Sequence, residues 1–193
     1  MARKVASRQP RRVIPTIIGE GITEQYYFKH LQTLMNWKMK IRPRFFEDVD
    51  IDKIEKRVES VLQEDGIAIC VFDADVSKWN NMIKTKLDKF KKKYEKKQNV
   101  IICDSLPSIE YWFLIHYLDT NKHYSTSESV IKDLRKHIKC FDKKGSFLSN
   151  SDWVKKMVDD GKIELACQRA KFYEDKGGSY SKIYKAIELL KKQ

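Results

Sequence analysis

Acidic side chains follow three short apolar runs of this sequence, at the point where each run ends. They are Glu20 after Val13–Ile18, Asp73 and Asp75 after Ile67–Phe72, and Asp104 after Val100–Cys103. Carboxylates that lie close together repel and raise each other's pKa unless a cation joins them. Hard divalent cations such as Mg²⁺ take oxygen ligands, so these acids predict a metal site if the fold brings them together.

The spacing of these acids suits the cleavage of a phosphodiester bond. Asp73 and Asp75 flank a single residue, so in extended backbone their side chains point the same way and reach one ion. Mg²⁺ or Mn²⁺ held there would polarise a phosphoryl oxygen and generate a hydroxide-like nucleophile. Glu20 stands between two glycines and could approach a phosphate closely as general base or acid. Each acid taken alone is more often structural, for example as a cap on the next helix, but the joint placement of all of them favours a site. We therefore predict Glu20, Asp73, Asp75 and Asp104 as metal ligands.

Strands and helices that alternate must position these acids. The predicted strands are Val13–Ile18, Lys40–Phe46, Ile67–Phe72 and Val100–Cys103. The predicted helices are one capped by Thr23, then Ile51–Leu62, Trp79–Tyr94, and Ile109–Leu118 with Ser108 as its cap. This alternation predicts right-handed crossovers and a mainly parallel sheet flanked by helices. Ligands bind at the carboxyl edge of such a sheet, so the acids should converge there.

Only helical patterns follow residue 120. They are Ser127–Ile138, Asp152–Val158, Lys162–Tyr173, and Ser179–Leu190 with Ser179 as its cap. We therefore predict a flexible basic arm over residues 1–12, an α/β core over residues 13–120, and a C-terminal helical extension over residues 121–193 that packs on the core.

The positive charge of the chain is concentrated in two segments. The net charge is +12, from 39 Lys and Arg against 27 Asp and Glu, and residues 1–12 and 78–97 account for the whole excess. A concentrated basic surface suggests a polyanion, most often nucleic acid, although lysines also simply solvate a helix. The predicted nucleic-acid-binding residues are Lys78, Lys84, Lys91, Lys92, Arg11, Arg12 and Lys144.

Composition excludes several other classes. No apolar run is long enough to span a membrane, and the N-terminus lacks the apolar segment of a secretory signal. The four cysteines lie far apart, which rules out a zinc ribbon and predicts a cytoplasmic protein without disulfides. The four histidines have no metal-ligand spacing, and we interpret His116 as structural. Trp112 and Tyr111 are interpreted as core residues.

Two segments resemble a known family. "IIGEGITEQYYFKHL" followed by "AICVFDADV" resembles the Toprim signature, a glutamate in a glycine-flanked turn and then D-x-D. "SLPSIEYWFLIHYLD" is similar to the S-N-P-x-F-E-x-W-L-L-x-H-F segment of the RloB-like family, small bacterial Toprim proteins found among phage-defence genes. The resemblance extends from about residue 13 through "IKCFDKKGSF" and "ACQRAKFYE". It departs at "GGSY", where the family tends toward N-P-S-T, and at Leu106, where Asn is usual.

The resemblance implies a Toprim-like core and Mg²⁺-dependent phosphodiester chemistry. By position it makes Glu20 the Toprim glutamate, Asp73 and Asp75 the metal-binding pair, and Glu110 a further catalytic acid. It implies a nuclease that cuts tRNA or DNA as an effector of bacterial antiviral defence by abortive infection. Related Toprim effectors act with an ATPase, and this sequence has no Walker A loop, so an ATPase partner protein would be separate. A homodimer stays open.

Two other functions fit the sequence less fully. A non-catalytic component that binds nucleic acid or an ATPase could use the same fold. Nucleotidyl transfer, as in a primase, is a second alternative, although the chain has no zinc-binding module. A topoisomerase is disfavoured because the chain is too short to carry a separate domain with a nucleophilic tyrosine.

Overall fold

The chain forms a five-stranded sheet in which four strands run parallel. The computed structural model describes residues 13–19, 21–42, 51–74 and 81–192. The strand order is β2-β1-β3-β4-β5, and only β5 runs antiparallel to its neighbour. The strands are β1 Thr16–Gly19, β2 Lys40–Arg42, β3 Ala68–Asp73, β4 Val100–Leu106 and β5 Tyr180–Ser181. The predicted α/β class with a mainly parallel sheet is confirmed.

Helices connect the strands and follow them. Those of the first half are α1 Ile22–Leu34, α2 Ile51–Gln63, α3 Asn81–Tyr94 and α4 Ile109–Leu114. Those of the second half are α5 Ser127–Leu134, α6 Gly145–Leu148, α7 Asp152–Val158, α8 Lys162–Tyr173 and α9 Ile183–Lys191. A 3-10 turn, Asp159–Gly161, joins α7 to α8. None of these helices is long and apolar enough to cross a membrane.

The sheet separates two hydrophobic clusters because side chains alternate between its faces. On one face, Ile18, Cys70 and Phe72 pack against α2 and α3. On the other face, Ile17, Val71 and Cys103 pack against α1, α4 and the helices of the second half. This second cluster joins residues from both predicted ranges, 13–120 and 121–193, and includes the fully buried Tyr111 and Trp112.

The sheet directs three chain segments toward one edge. β1 ends at Gly19, and α1 begins at Ile22; β3 ends at Asp73; β4 ends at Leu106, and α4 begins at Ile109. Because β1, β3 and β4 are parallel, these ends lie at the same carboxyl edge.

The structure corrects several predicted boundaries. β1 begins at Thr16 rather than Val13, because Pro15 has no N–H to donate to the ladder. β4 continues to Leu106 instead of ending at Cys103. Thr23 lies inside the first turn of α1, which is capped by Gly21. The predicted arm over residues 1–12 lies outside the described residues.

The sequence patterns also missed one strand. Tyr180–Ser181 forms β5, which pairs antiparallel with Leu106 and Ser105, so residues beyond 120 are not purely helical. Ser179 is buried before this strand and accepts a hydrogen bond from the Tyr124 N–H; it does not cap α9, whose cap is Lys182. All four cysteines are free, as predicted.

Candidate functional site

Asp73 ends β3 at the carboxyl edge of the sheet. It pairs with Ser105 of β4, so the start of α4 lies close beside it. Its Oδ1 accepts a hydrogen bond from the backbone N–H of Ile109, the first residue of α4, at 3.0 Å. The bond stabilises an otherwise unpaired N–H of the helix, and it fixes the direction of the carboxylate.

Glu110 lies in the first turn of α4 and is fully buried. Its Oε2 accepts a hydrogen bond from the Ser108 hydroxyl at 2.5 Å, and its Oε1 lies 3.1 Å from Nζ of Lys143. A buried carboxylate without such partners would cost several kcal/mol. Ser108 and Lys143 therefore offset the burial of Glu110, and they hold its two oxygens in place.

Lys143 is the cation nearest to Glu110 and is also attracted by two other acids of this region. It lies in the loop before α6, and its side chain is 42% exposed. Burial lowers the pKa of Lys143, but attraction to Glu110, and more weakly to Asp73 and Glu24, outweighs this and keeps the pKa above its usual value. Three carboxylates from α1, β3 and α4 thus act on one ammonium group, which remains protonated at neutral pH. We call Glu24, Asp73, Glu110 and Lys143 the acid cluster.

Glu24 is the member of the acid cluster that sequence reasoning missed. It lies in the first turn of α1 and is almost completely buried. A Cβ added to Gly21 would stand 2.7 Å from its Oε2, so the carboxylate lies against the glycine turn that follows β1. The available signal was a second glutamate in "EGITE", placed where a helix capped after the glycine turn would have its first turn.

Glu20 and Asp75 lie outside the described residues, so their predicted roles stay predictions. In the sequence they adjoin Gly21 and Ala74. Within residues 13–19, 21–42, 51–74 and 81–192, no group of three His, Cys, Asp or Glu side chains has an arrangement that could hold a metal ion.

Asp104 is not brought together with Asp73. Because β4 continues to Leu106, Asp104 lies inside the strand, opposite Phe72, and its side chain points to the face covered by α3. Its Oδ2 lies 2.6 Å from Nζ of Lys91 and 2.9 Å from the Tyr180 hydroxyl, and its Oδ1 lies 3.1 Å from Nζ of Lys182. Burial raises the pKa of Asp104, but the two lysines outweigh it and hold the pKa below its usual value.

The predicted nucleic-acid-binding lysines have different environments. Lys84 and Lys92 are exposed on α3 and form no ion pair with the described residues, whereas Lys91 is paired with Asp104. Other lysines of α3 bind acids of α2: Lys86 pairs with Asp52 at 2.6 Å, and Lys93 with Glu55 and Glu59 at 2.5 and 2.9 Å. Part of the positive charge of α3 therefore stabilises its packing against α2.

Lys144 lies in the loop before α6 rather than on α3. Lys144 is 79% exposed and lies 3.4 Å from Asp142, so it is Lys143, its neighbour, that reaches the acid cluster. Lys78, Arg11 and Arg12 lie outside the described residues.

The fold and the site define an α/β protein with acids gathered at the carboxyl edge of a mostly parallel sheet. The family model described as "RloB-like protein" matches residues 16–190, and the chain belongs to this family. A search of curated proteins and a search of solved structures each found no match.

Proposed function

We propose that this chain is a Mg²⁺-dependent Toprim nuclease that cleaves phosphodiester bonds in nucleic acid. The observation that carries the proposal is the buried Glu110, 3.1 Å from Lys143, beside Asp73, whose carboxylate binds the start of α4 where β3 ends. Buried carboxylates are costly to fold around and are typical of functional sites, and Glu24 and Glu110 are both buried. Membership of the RloB-like family supports the same conclusion.

The acid cluster needs Glu20 and Asp75 beside Asp73 to hold a divalent cation, because no three acids among the described residues are arranged to do so. Glu110 is buried with its Oε1 3.1 Å from Nζ of Lys143, and Asp73 lies at the same edge of the sheet, where its Oδ1 accepts a hydrogen bond from the Ile109 N–H. Carboxylate oxygens are the ligands that Mg²⁺ and Mn²⁺ prefer. We propose Glu20, Asp73 and Asp75 as the residues that would hold the ion. Asp104 is no longer included, because two lysines and a tyrosine on the opposite face already surround its carboxylate.

The chain's own residues would orient the substrate and stabilise charge. Lys143 stays protonated, so it would donate hydrogen bonds to phosphoryl oxygens as negative charge develops there. Glu110 and Ser108 would hold Lys143 in position, and the Ile109 N–H would fix Asp73. Glu20 would transfer a proton as general base or acid. A bound Mg²⁺ would supply Lewis-acid polarisation and a water of lowered pKa.

Asp73→Asn tests the proposal directly. We expect cleavage of end-labelled RNA or DNA in Mg²⁺ to fall about 100-fold or more, because the amide keeps the shape of the side chain but loses its anionic oxygen. Asp175→Asn, which changes an exposed acid after α8, is the matched control and should cleave normally. Cleavage by Asp73→Asn at the normal rate, or undiminished cleavage in EDTA, would contradict the proposal.

One observation favours a non-catalytic component with the same fold. Asp73 and Glu110 both bond to the start of α4, so a purely structural role would also account for them. Under this alternative, Asp73→Asn lowers the melting temperature but leaves toxicity and antiviral protection in cells intact. Under the nuclease proposal, both are lost in a variant that remains folded at the growth temperature.

The proposed biological role is that of an effector in bacterial antiviral defence, acting on tRNA or DNA. Sequencing RNA and DNA ends after induced expression of the natural chain and of Asp73→Asn would identify the substrate, because only the active chain should create new ends. Co-purification with an ATPase encoded beside it would test the proposed partner. A native mass measurement would test the proposed homodimer.

A further inference from the structure

A groove lies along the outer edge of β4, apart from the acid cluster. It encloses about 480 Å³ between the end of α3 and the start of α9. Its floor is formed by Val100–Ile102, and its walls carry the lysines Lys91, Lys96, Lys97, Lys182 and Lys185 with the acid Glu95. We call it the edge groove. Its lysines come from α3, the α3–β4 turn and the start of α9, so the fold brings them together.

The edge groove exists because β5 is short. β5 pairs only with Ser105 and Leu106, so no described strand covers Val100–Ile102 on that side. Lysines commonly protect an open strand edge from pairing with another chain. Protection of the edge alone requires neither a groove nor lysines that come from three elements, so these two features need another explanation.

Buried and half-buried acids hold three of the lysines in place. Asp104 binds both Lys91 and Lys182, at 2.6 and 3.1 Å, and Glu174 lies 2.9 Å from Nζ of Lys185. These ammonium groups are therefore ordered before any ligand arrives, which reduces the entropy lost on binding.

The other two lysines remain open to solvent. Lys96 and Lys97 are exposed and form no ion pair with the described part of the chain; Lys97 lies over the Tyr94 ring. The edge groove thus combines fixed and available positive charges.

We propose that the edge groove binds the phosphate backbone of a nucleic acid strand, an inference that rests on the proposed nuclease function. Lysine contacts phosphate as a point charge, whereas paired hydrogen bonds to bases favour arginine and stacking needs aromatic rings. The described residues that line the groove include neither arginine nor an aromatic residue. Binding is therefore expected to be independent of base sequence and strongly dependent on salt.

The position of the edge groove suits a strand that also reaches the acid cluster. Asp104, which holds Lys91 and Lys182, pairs with Phe72, and the next pair along the same two strands is Ser105 with Asp73. The floor of the groove, Val100–Ile102, lies three to five residue pairs from Ser105 and Asp73, toward the amino end of β4, and the acid cluster lies on the opposite face. A nucleic acid strand that runs along the outer edge of β4, past Lys91 and Lys182, and then crosses the carboxyl edge of the sheet would contact both.

The double substitution Lys96→Ala/Lys97→Ala tests this inference by binding alone. The probe is a fluorescein-labelled single strand of about 12 nucleotides, as RNA and as DNA, with EDTA present to prevent cleavage. We expect binding about tenfold weaker for every sequence, and a salt dependence whose logarithmic slope falls by about 1.4 for two lost contacts. Lys155→Ala/Lys156→Ala removes the same charge from the exposed surface of α7 and should change affinity much less.

Three results would separate or overturn the two proposals. Equal affinity of the groove variant and the α7 variant would overturn the groove. The groove would be assigned to an acidic protein instead if a polyglutamate peptide displaced the oligonucleotide from the natural chain and bound it more tightly than the oligonucleotide does. The peptide should then also lose affinity for the groove variant but not for the α7 variant. Weakened binding by the groove variant, together with no cleavage by the natural chain, would support the groove and refute the nuclease.

Discussion

Lys143 is the residue that connects the acid cluster to the second half of the chain. It precedes α6, whereas its partners Glu110, Asp73 and Glu24 belong to α4, β3 and α1. A lysine in a polar loop is ordinarily solvent-exposed, and nothing in "FDKKGSF" distinguishes Lys143 from Lys144. The buried carboxylate of Glu110 is what gives one of them a specific role.

Removing the charge of Lys143 should destabilise the protein through Glu110. Lys143→Gln leaves a fully buried carboxylate without its cation, and we expect a loss of about 2 kcal/mol in the free energy of unfolding. The loss falls below the range for fully buried pairs because water reaches the half-exposed lysine. In Lys143→Gln/Glu110→Gln, the total cost should be at least about 1 kcal/mol smaller than the sum of the two single costs. Urea denaturation at neutral pH measures all three variants, and additive costs would contradict the coupling.

The sequence predicted the edge and two of the acids that occupy it, Asp73 and Glu110, but it misplaced Asp104 and missed Glu24. Asp73 was predicted correctly to end its strand, because the run of apolar residues before it is continuous. Asp104 was misplaced, since β4 is three residues longer than its apolar run, and residues in a strand alternate between faces. Glu24 was missed because its burial depends on contacts with elements far away in the sequence.

Among the elements, β5 depends on a glycine pair that precedes it. Gly177 has φ of 75°, a conformation that favours glycine. Gly178 faces a different restriction: a Cβ there would lie 1.9 Å from the carbonyl oxygen of Asn121. The "GGSY" segment, at which the sequence departs from the family pattern, thus presses its backbone against the connection between α4 and α5 and leads into β5.

Gly178→Ala should therefore be among the more damaging small substitutions in this chain. We expect a loss of about 3 kcal/mol or more, because the methyl group can be accommodated only by moving backbone. Gly145→Ala is the control: its Cβ would contact Ile22 Cδ1 at an ordinary 3.8 Å, so the expected change is within about 0.5 kcal/mol. Thermal or urea unfolding of both variants provides the comparison. Equal stability of the two would show that the approach to Asn121 is looser than described.

The elements that escaped prediction are the shortest ones. β5 has two residues and α6 has four, too few for any hydrophobic period to be visible. Longer elements with a clear period, such as α2, α7 and α8, were predicted within about one residue of their observed bounds. The short elements form because distant parts of the fold supply their contacts, as β4 does for β5, and these contacts are not visible in a local sequence pattern.

At the scale of the whole molecule, the buried base His116 should make stability depend on pH. Burial lowers the pKa of His116 to about 4, although hydrogen bonds with the backbone at Trp112 and Phe113 oppose the shift. Nδ1 lies 2.8 Å from the Trp112 carbonyl oxygen, whereas the buried Nε2 has no hydrogen-bond partner among the described residues. His116 is structural, as predicted, but it is stable there only as the neutral imidazole.

As pH falls from about 6.5 toward 4, His116 becomes protonated in the unfolded chain but stays neutral in the folded chain. The free energy of unfolding should therefore fall by up to about 1.4 kcal/mol per pH unit across this window. His116→Gln should remove that part of the slope, and His123→Gln, at an exposed position, should retain it. Urea denaturation at several pH values measures the slopes. An unchanged slope in His116→Gln would assign the acid sensitivity to other groups.

The alternation of side chains along β3 and β4 has a practical consequence. Neighbouring residues on a single strand serve different surfaces, since Asp73 and Ser105 belong to one side and Phe72 and Asp104 to the other. Substitutions at adjacent positions of one strand can therefore disrupt the acid cluster and leave the edge groove intact, or the reverse. Such separation-of-function alleles would let the proposed catalysis and the proposed binding of nucleic acid be tested independently in living cells.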